Sequence, residues 1–392
     1  MSYNLFFGWI MGKIIQLKFN TDKPAKPLTS IERRKFEKSL FVWNDMIVHY
    51  MLDEAEAFVP QHDRYVNNFA EPHLHFMYHL FLARFYAAKG DIESFTHTMA
   101  YLKGRQPEFG NIHNHFYFRL VAYREGENLQ YRKSLDALLK AEAVGSPEWA
   151  DVAYYYRFAF CLSDMGYSRR AIEYFKKAQE EADATNNRRY NLYIQSYIAR
   201  DCCKIDQSDE ALTIINNCLR FAKATGVTDS SIGFAYIYAG EIHYRLGRYD
   251  EALEYFETAF PYVDKGTGLY VRGMYYKALT LCASNKAEEC MVCIKDGMDM
   301  INSDMNTADV WMAALDTLKH LMLISNHGSL EYVETTTIPM LIEFGFYDLA
   351  IDYYQVIIDF FQKNNDAERV AVYNNAIRDI YKMYICERVE GF

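Results

Sequence analysis

His75 and His79 stand at i and i+4, a spacing at which two imidazoles on one helix can share Zn²⁺ if a third ligand comes from elsewhere. The residues between them, Phe76, Met77 and Tyr78, supply no carboxylate base, and the competing reading is a partly buried polar face of a helical bundle. Cys290 and Cys293 form a Cys-x-x-Cys with Cys282 nearby. No second pair completes a metal centre, so packing thiols are expected. A third set comprises Arg119, Ser196, Arg200, Asp201, Lys204, Glu241 and Arg272. On one wall, such residues could fix a peptide's terminal carboxylate or acidic side chains through charge-assisted hydrogen bonds. The plainer alternative is that they are solvated or pair with one another. No glycine-rich phosphate loop, nucleophile elbow or paired-carboxylate site is recognisable, so the sequence assigns no catalytic residue, cofactor or metal.

The elements that would carry this wall repeat along the chain. The clearest unit runs from Phe234 to Phe260, with Tyr236, Ala239 and Gly240 on a first helix, a turn at Gly247, and Tyr249, Ala252, Phe256 and Ala259 on a second. This is the tetratricopeptide pattern: small residues let two helices cross closely while an aromatic fills the groove beside them. Taking the first small site of each second helix, the anchors fall at 95, 134, 171, 211, 252 and 290, with weaker units near 308–343 and 346–386. The period of about 40 exceeds the usual ~34, which predicts helices longer by about a turn. Pro107, Pro147, Pro261 and Pro339 fall near predicted connections or helix ends. The fold class is all-α: a superhelix of helix–turn–helix repeats over 73–392, preceded by an extension (1–29) and a small helical bundle (30–72) whose third helix runs into the repeats. First helices line the inner side of such a stack. Tyr156, Tyr193, Tyr197, Tyr238, Tyr244 and Tyr275 fall at or beside those positions, although more than half of all the tyrosines are expected simply to pack between helices.

Composition agrees. The 392 residues are 51% apolar and 16% aromatic, with 33 Tyr, 8 Pro and 19 Gly, a profile that excludes disorder and favours helix. A net charge of -10 argues against a general nucleic-acid coat. Eight scattered Cys in a long chain read as reduced thiols. The apolar run Asn4–Met11 is too short to span a bilayer and no Lys or Arg precedes it, so neither a signal peptide nor a membrane anchor is expected, and Met11 could serve as the start. A cytoplasmic protein is expected. The basic stretch Arg33-Arg34-Lys35 reads as a solvated helix start, and no DNA-reading module precedes the repeats.

A bundle followed by tetratricopeptide repeats, with Trp43 early in the bundle, Leu74-His75-Phe76-Met77-Tyr78 some thirty residues later and the repeat register running to the C-terminus, resembles the Rap family of bacterial regulators within the RRNPP group of peptide-pheromone receptors. The resemblance covers about 350 residues as architecture. It implies a cytosolic quorum-sensing receptor for a short secreted and reimported peptide. The peptide would sit in the repeats, on Arg119, Tyr156, Tyr193, Ser196, Tyr197, Arg200, Asp201, Lys204, Tyr238, Glu241, Arg272 and Tyr275. It also implies a bundle that controls a response regulator or other partner, through Trp43, Glu71, His75 and His79. Family phosphatases carry a water-orienting Gln where this chain has Pro72, which speaks against phosphatase activity here. Their peptide clamps, mainly Asn and Asp, fall at Asp201, Lys204 and Tyr238, where only Asp201 keeps the type. The alternatives are a response-regulator aspartate phosphatase with a displaced catalytic residue and a generic protein-binding scaffold.

Overall fold

A computed structural model describes residues 28–60, 71–225, 230–301, 308–323, 327–343 and 346–390. Most of the N-terminal extension, including Asn4–Met11, lies outside these residues. Every regular element among them is helical. The chain divides into two compact units, residues 1–121 with 137–150 and residues 122–136 with 151–392, so the boundary cuts through a repeat.

The first unit begins with α1 (Ser30–Val48), closed by a capping box in which the Glu32 amide donates to the Thr29 hydroxyl and the Thr29 amide to the Glu32 carboxylate. Phe36, Leu40, Trp43 and Ile47 recur every three or four residues and are buried. The helix stops at Val48 because Tyr50 turns left-handed, with φ 55°, and the short α2 (Leu52–Glu56) follows. Then α3 (Pro72–Lys89) starts on Pro72, whose missing N–H costs nothing in a first turn. This helix is apolar around most of its circumference and forms the middle of the unit, packed against α1 and α4 (Ile92–Arg105).

From α3 onward the helices pair as the sequence predicts. After α3 and α4 come α5 (Asn111–Glu127) with α6 (Tyr131–Val144), α7 (Val152–Asp164) with α8 (Ser168–Ala184), and α9 (Arg188–Lys204) with α10 (Ser208–Thr225). Next are α11 (Ser230–Arg245) with α12 (Tyr249–Ala259) and α13 (Gly268–Ala283) with α14 (Ala287–Asp299). Then α15 (Ala308–Met322) precedes α16 (His327–Tyr332) and α17 (Ile338–Glu343), and α18 (Tyr347–Lys363) pairs with α19 (Ala367–Glu390).

One turn recurs inside these pairs. The first helix ends on a left-handed residue at Gly90, Leu129, Gly166, Asp206, Gly247, Asn285 and Asn365. The amide after it donates to the carbonyl five residues back, for example Gln207 to Cys202 at 2.9 Å and Lys286 to Leu281 at 2.9 Å. The six anchors lie five residues beyond it (90 to 95, 129 to 134, 166 to 171, 206 to 211, 247 to 252, 285 to 290), and all are at most 3% exposed. The A-turn-B unit is therefore constant, and variation in the period resides in second helices and inter-repeat connections. Three of those connections contain a 3₁₀ turn built on Pro107, Pro147 or Pro261, so helix length is only part of the longer period. The two helices of a pair cross closely at Gly240, where a methyl group would come within 2.5 Å of the Phe256 ring.

Pro339 departs from expectation. It lies inside the continuous helical run from His327 to Glu343, directly after a π turn at Val333–Thr337. A proline cannot donate to the preceding turn and crowds its carbonyl, and the wider turn accommodates both.

Candidate functional site

In the second unit, first helices α7, α9, α11 and α13 lie side by side, and a layer of charges and rings crosses them. Arg200 of α9 is 1% exposed, pairs with Asp164 at the end of α7 (2.9 Å) and with Asp201 (3.5 Å), and donates to the Ser163 hydroxyl. Its guanidinium lies over the rings of Tyr197 (4.6 Å) and Tyr238 (5.4 Å). Asp201 accepts from the hydroxyls of Ser163 (2.6 Å) and Ser168 (3.4 Å). On α11, Glu241 is fully buried and accepts from Arg272 of α13 (2.8 Å) and from Arg245 (3.3 Å). Arg245 also pairs with Asp352 of α18 at 3.5 Å, while Arg272 faces Tyr238 (5.0 Å) and Tyr276 (5.3 Å). Burial alone would raise the Glu241 carboxyl, but Arg272, Arg245 and Arg200 outweigh it and hold that carboxyl far below the usual range. Burial dominates at Asp201 and raises it despite Arg200.

Beside this layer is an aromatic patch. Tyr156 meets Tyr190 (5.3 Å) and Tyr197 (5.9 Å), Tyr197 stacks on Phe175 (5.2 Å), and Tyr193 meets Phe234 (4.7 Å). Tyr156, Phe160, Tyr193 and Phe234 are half-buried.

The left-handed turn residue sorts the sequence-derived candidates. Counted back from it (206 to 204, 200, 197 and 193), offsets of two, six, nine and thirteen fall on one helix face. That face carries Lys204, Arg200, Tyr197 and Tyr193 on α9, then Arg245, Glu241, Tyr238 and Phe234 on α11, with Tyr276 and Arg272 on α13. It also carries Asp164, Phe160 and Arg157 on α7. Sequence reasoning missed Asp164, Arg157, Arg245 and Tyr276. Arg157 pairs with Glu127 (3.3 Å) and lies over Tyr123 (5.0 Å) and Phe160 (5.3 Å).

Tyr156, Ser196 and Tyr275 stand one residue off this face. Ser196 is wholly buried, donating to the Leu192 carbonyl at 2.7 Å and facing Cys218 of α10 at 3.7 Å, so it serves the helix pair and not the wall. Tyr275 is likewise enclosed, against Tyr353 of α18 (6.4 Å). Arg119 belongs to the first unit, where it donates to the Trp149 carbonyl (2.9 Å) over the Phe116 ring (5.1 Å).

In that unit the residues expected to meet a partner divide. Trp43 has no exposed area: it donates to the Ala55 carbonyl (2.9 Å) and stacks on Tyr78 (5.5 Å), so it is core and no part of a partner surface. Glu71 accepts from Arg33 (2.7 Å). His75 bonds the Tyr101 hydroxyl (2.6 Å) and His79 the His75 carbonyl (2.9 Å), contacts that occupy a nitrogen of each imidazole. Among the described residues no group of three His, Cys, Asp or Glu is arranged to hold a metal.

A relay lies nearby that the sequence did not announce. The Gly110 amide donates to His113 Nδ1 (3.1 Å), which leaves Nε2–H to donate to His73 Nδ1 (2.9 Å), and His73 Nε2–H points at Glu37 (3.4 Å). Burial first, then His73, lowers His113 from 6.5 to about 4. An unfolded His113 thus takes a proton that the folded one refuses, so its stabilisation is complete above pH 6.5 and is lost as the pH falls towards 4. With solvent screening allowed for, the loss should be about 2 kcal/mol. Urea unfolding at pH 7 and 4.5 measures it, and His113→Gln should flatten the dependence. Equal slopes for both proteins would refute the assignment.

The tetratricopeptide repeat family matches residues 190–265. Comparison with curated proteins gives no match. Among solved structures, a Rap protein complexed with competence and sporulation factor superposes with a TM-score of 0.79 at 16% identity, covering 89% of this chain and 98% of that one. NprR with its cognate peptide NprX gives 0.75 at 19%, covering 88% and 99%. The apo quorum sensor NprR from B. thuringiensis gives 0.68 at 19%, covering 89% and 99%. The chain has a Rap-like fold. Within that fold Pro72 occupies the first turn of α3 and carries no side-chain amide. None of the described helices is long and apolar enough to cross a membrane.

Proposed function

We propose that the chain is a quorum-sensing regulatory receptor that binds a short signalling peptide on the first-helix wall of its repeats and controls a response regulator or other partner through its N-terminal bundle. The observation that carries the reading is the continuous face of rings and paired charges across α7, α9, α11 and α13. Half-buried Tyr156, Phe160, Tyr193 and Phe234 lie next to fixed Arg and carboxylate groups, a surface suited to a peptide's apolar side chains and backbone. The solved structure of NprR with its cognate peptide, which shares this fold, supports it.

Isothermal titration with peptides cut from short secreted precursors encoded beside the gene tests the receptor reading. Saturable binding is expected, and Tyr193→Ala should weaken it about tenfold, the effect of losing one aromatic contact of about 1–1.5 kcal/mol. If no such peptide binds, the wall is a scaffold surface and the reading fails. Incubation with phosphorylated response regulators tests the partner arm: capture without faster loss of the phosphoryl group is expected, since Pro72 has no amide with which to orient water.

A further inference from the structure

Cys282 sits in the last turn of α13 and Cys290 in the first turn of α14, on either side of left-handed Asn285. Cys290 Sγ donates to the Ala278 carbonyl at 3.3 Å. Ala278 is one turn before Cys282, and helical side chains lean back over the preceding turn, so the two sulfurs converge on the same spot. Cys290 is enclosed, whereas Cys282 is half-buried and reachable from solvent. Burial pushes the thiols of Cys161, Cys202, Cys218 and Cys293 up to about 11. Cys282 moves the opposite way: the neighbouring Cys290 thiol lowers it most, against the cost of burial, and the Lys363 ammonium adds to this.

We propose that Cys282 and Cys290 form a peroxide-oxidisable pair, with Cys282 the attacking sulfur and Cys290 the resolving one. The Cys282 thiolate attacks one peroxide oxygen: an S–O bond forms, the O–O bond breaks, and the leaving oxygen takes a proton and departs as water or alcohol. Cys290 then attacks that sulfur; an S–S bond forms, the S–O bond breaks, and hydroxide leaves as water with the Cys290 proton. The two thiols give up two electrons and the peroxide accepts them. A thiol such as glutathione reverses the step by exchange. The bridge would clasp the turn of the repeat whose first helix carries Arg272 and Tyr276.

Trypsin cuts after Lys286 and so separates the two cysteines. The full chain is treated with hydrogen peroxide at neutral pH, digested without reduction and mass-mapped. The expected product is the Cys282 peptide joined to the Cys290 peptide through those sulfurs, lighter than the free pair by two hydrogens and released by dithiothreitol. Cys290→Ala places in this slot the residue found at 171, 211 and 252, and should stop the reaction at a Cys282 sulfenic acid that dimedone traps. Cys282→Ser should leave Cys290 unmodified. A free Cys282 after oxidation, a bridge from Cys282 to Cys293, or dimedone label lying elsewhere in the Cys290→Ala protein would overturn the proposal.

Discussion

Replacing Glu241 with alanine should lower the free energy of unfolding by about 3–5 kcal/mol, the range for a buried ion pair that loses one partner. The carboxylate is wholly enclosed and receives both Arg272 (2.8 Å) and Arg245 (3.3 Å). Arg245 keeps Asp352 at 3.5 Å. Arg272 is left with the faces of Tyr238 and Tyr276 and no carboxylate within reach among its described contacts, so most of the loss falls on it. The pairing also explains the persistence of the charge on acidification. A carboxyl depressed in the folded state stabilises at every pH above its unfolded value of 4.5 and loses that contribution only as the pH falls through its folded value. Urea unfolding reads the effect. The double variant Glu241→Leu with Arg272→Met should recover much of the loss, because no charge is then stranded. A single-variant loss below about 1 kcal/mol would mean that water reaches the arginines.

Trp43→Ala should cost a similar amount, about 3–5 kcal/mol, but in the first unit. The indole stacks on Tyr78 (5.5 Å), touches Phe85 (6.2 Å) and bonds the Ala55 carbonyl (2.9 Å). Its removal opens a cavity between α1 and α3 and strands a buried acceptor. Hydrogen exchange localises the damage: amides of α1 and α3 should lose protection while those of α9 and α11 keep theirs. Trp43→Phe retains most of the packing and should lose only about 1 kcal/mol, the hydrogen bond. Equal loss in both variants would put the whole weight on the hydrogen bond and against packing.

Much of this architecture was legible because tetratricopeptide packing restricts residue types. Five of the six anchors, Ser134, Ala171, Ala211, Ala252 and Cys290, are small residues where helices cross and stand out at a regular interval, as does Gly240 against Phe256, while the sixth is the larger Phe95. The wall was read less accurately. Its residues share a face only when helices are aligned on the left-handed turn, and a glycine such as Gly247 marks that turn in only some repeats. Asp206 and Asn285 take the same conformation with a short polar side chain, and Leu129 does so with an apolar one. Ser196 and Tyr275 stand one position off that face, and Arg157 and Tyr276 stand on it beside residues that the repeat pattern had not singled out. Trp43 misled for another reason: a large aromatic in an amphipathic helix suits a partner surface or a core equally well, and only the fold of α2 beneath it decides. The His113–His73–Glu37 relay joins residues about 40 positions apart through a loop amide, which no local pattern encodes.

The pairing of charges along the first-helix wall bears on how a ligand would be sensed at different ionic strengths. Arg200, Arg245 and Arg272 each face a carboxylate within 3.5 Å, so their fields largely cancel before reaching solvent. A partner arriving there meets dipoles and rings in place of a net potential. Discrimination would then rest on shape and on which hydrogen bonds remain open, and affinity should change little between dilute and concentrated salt.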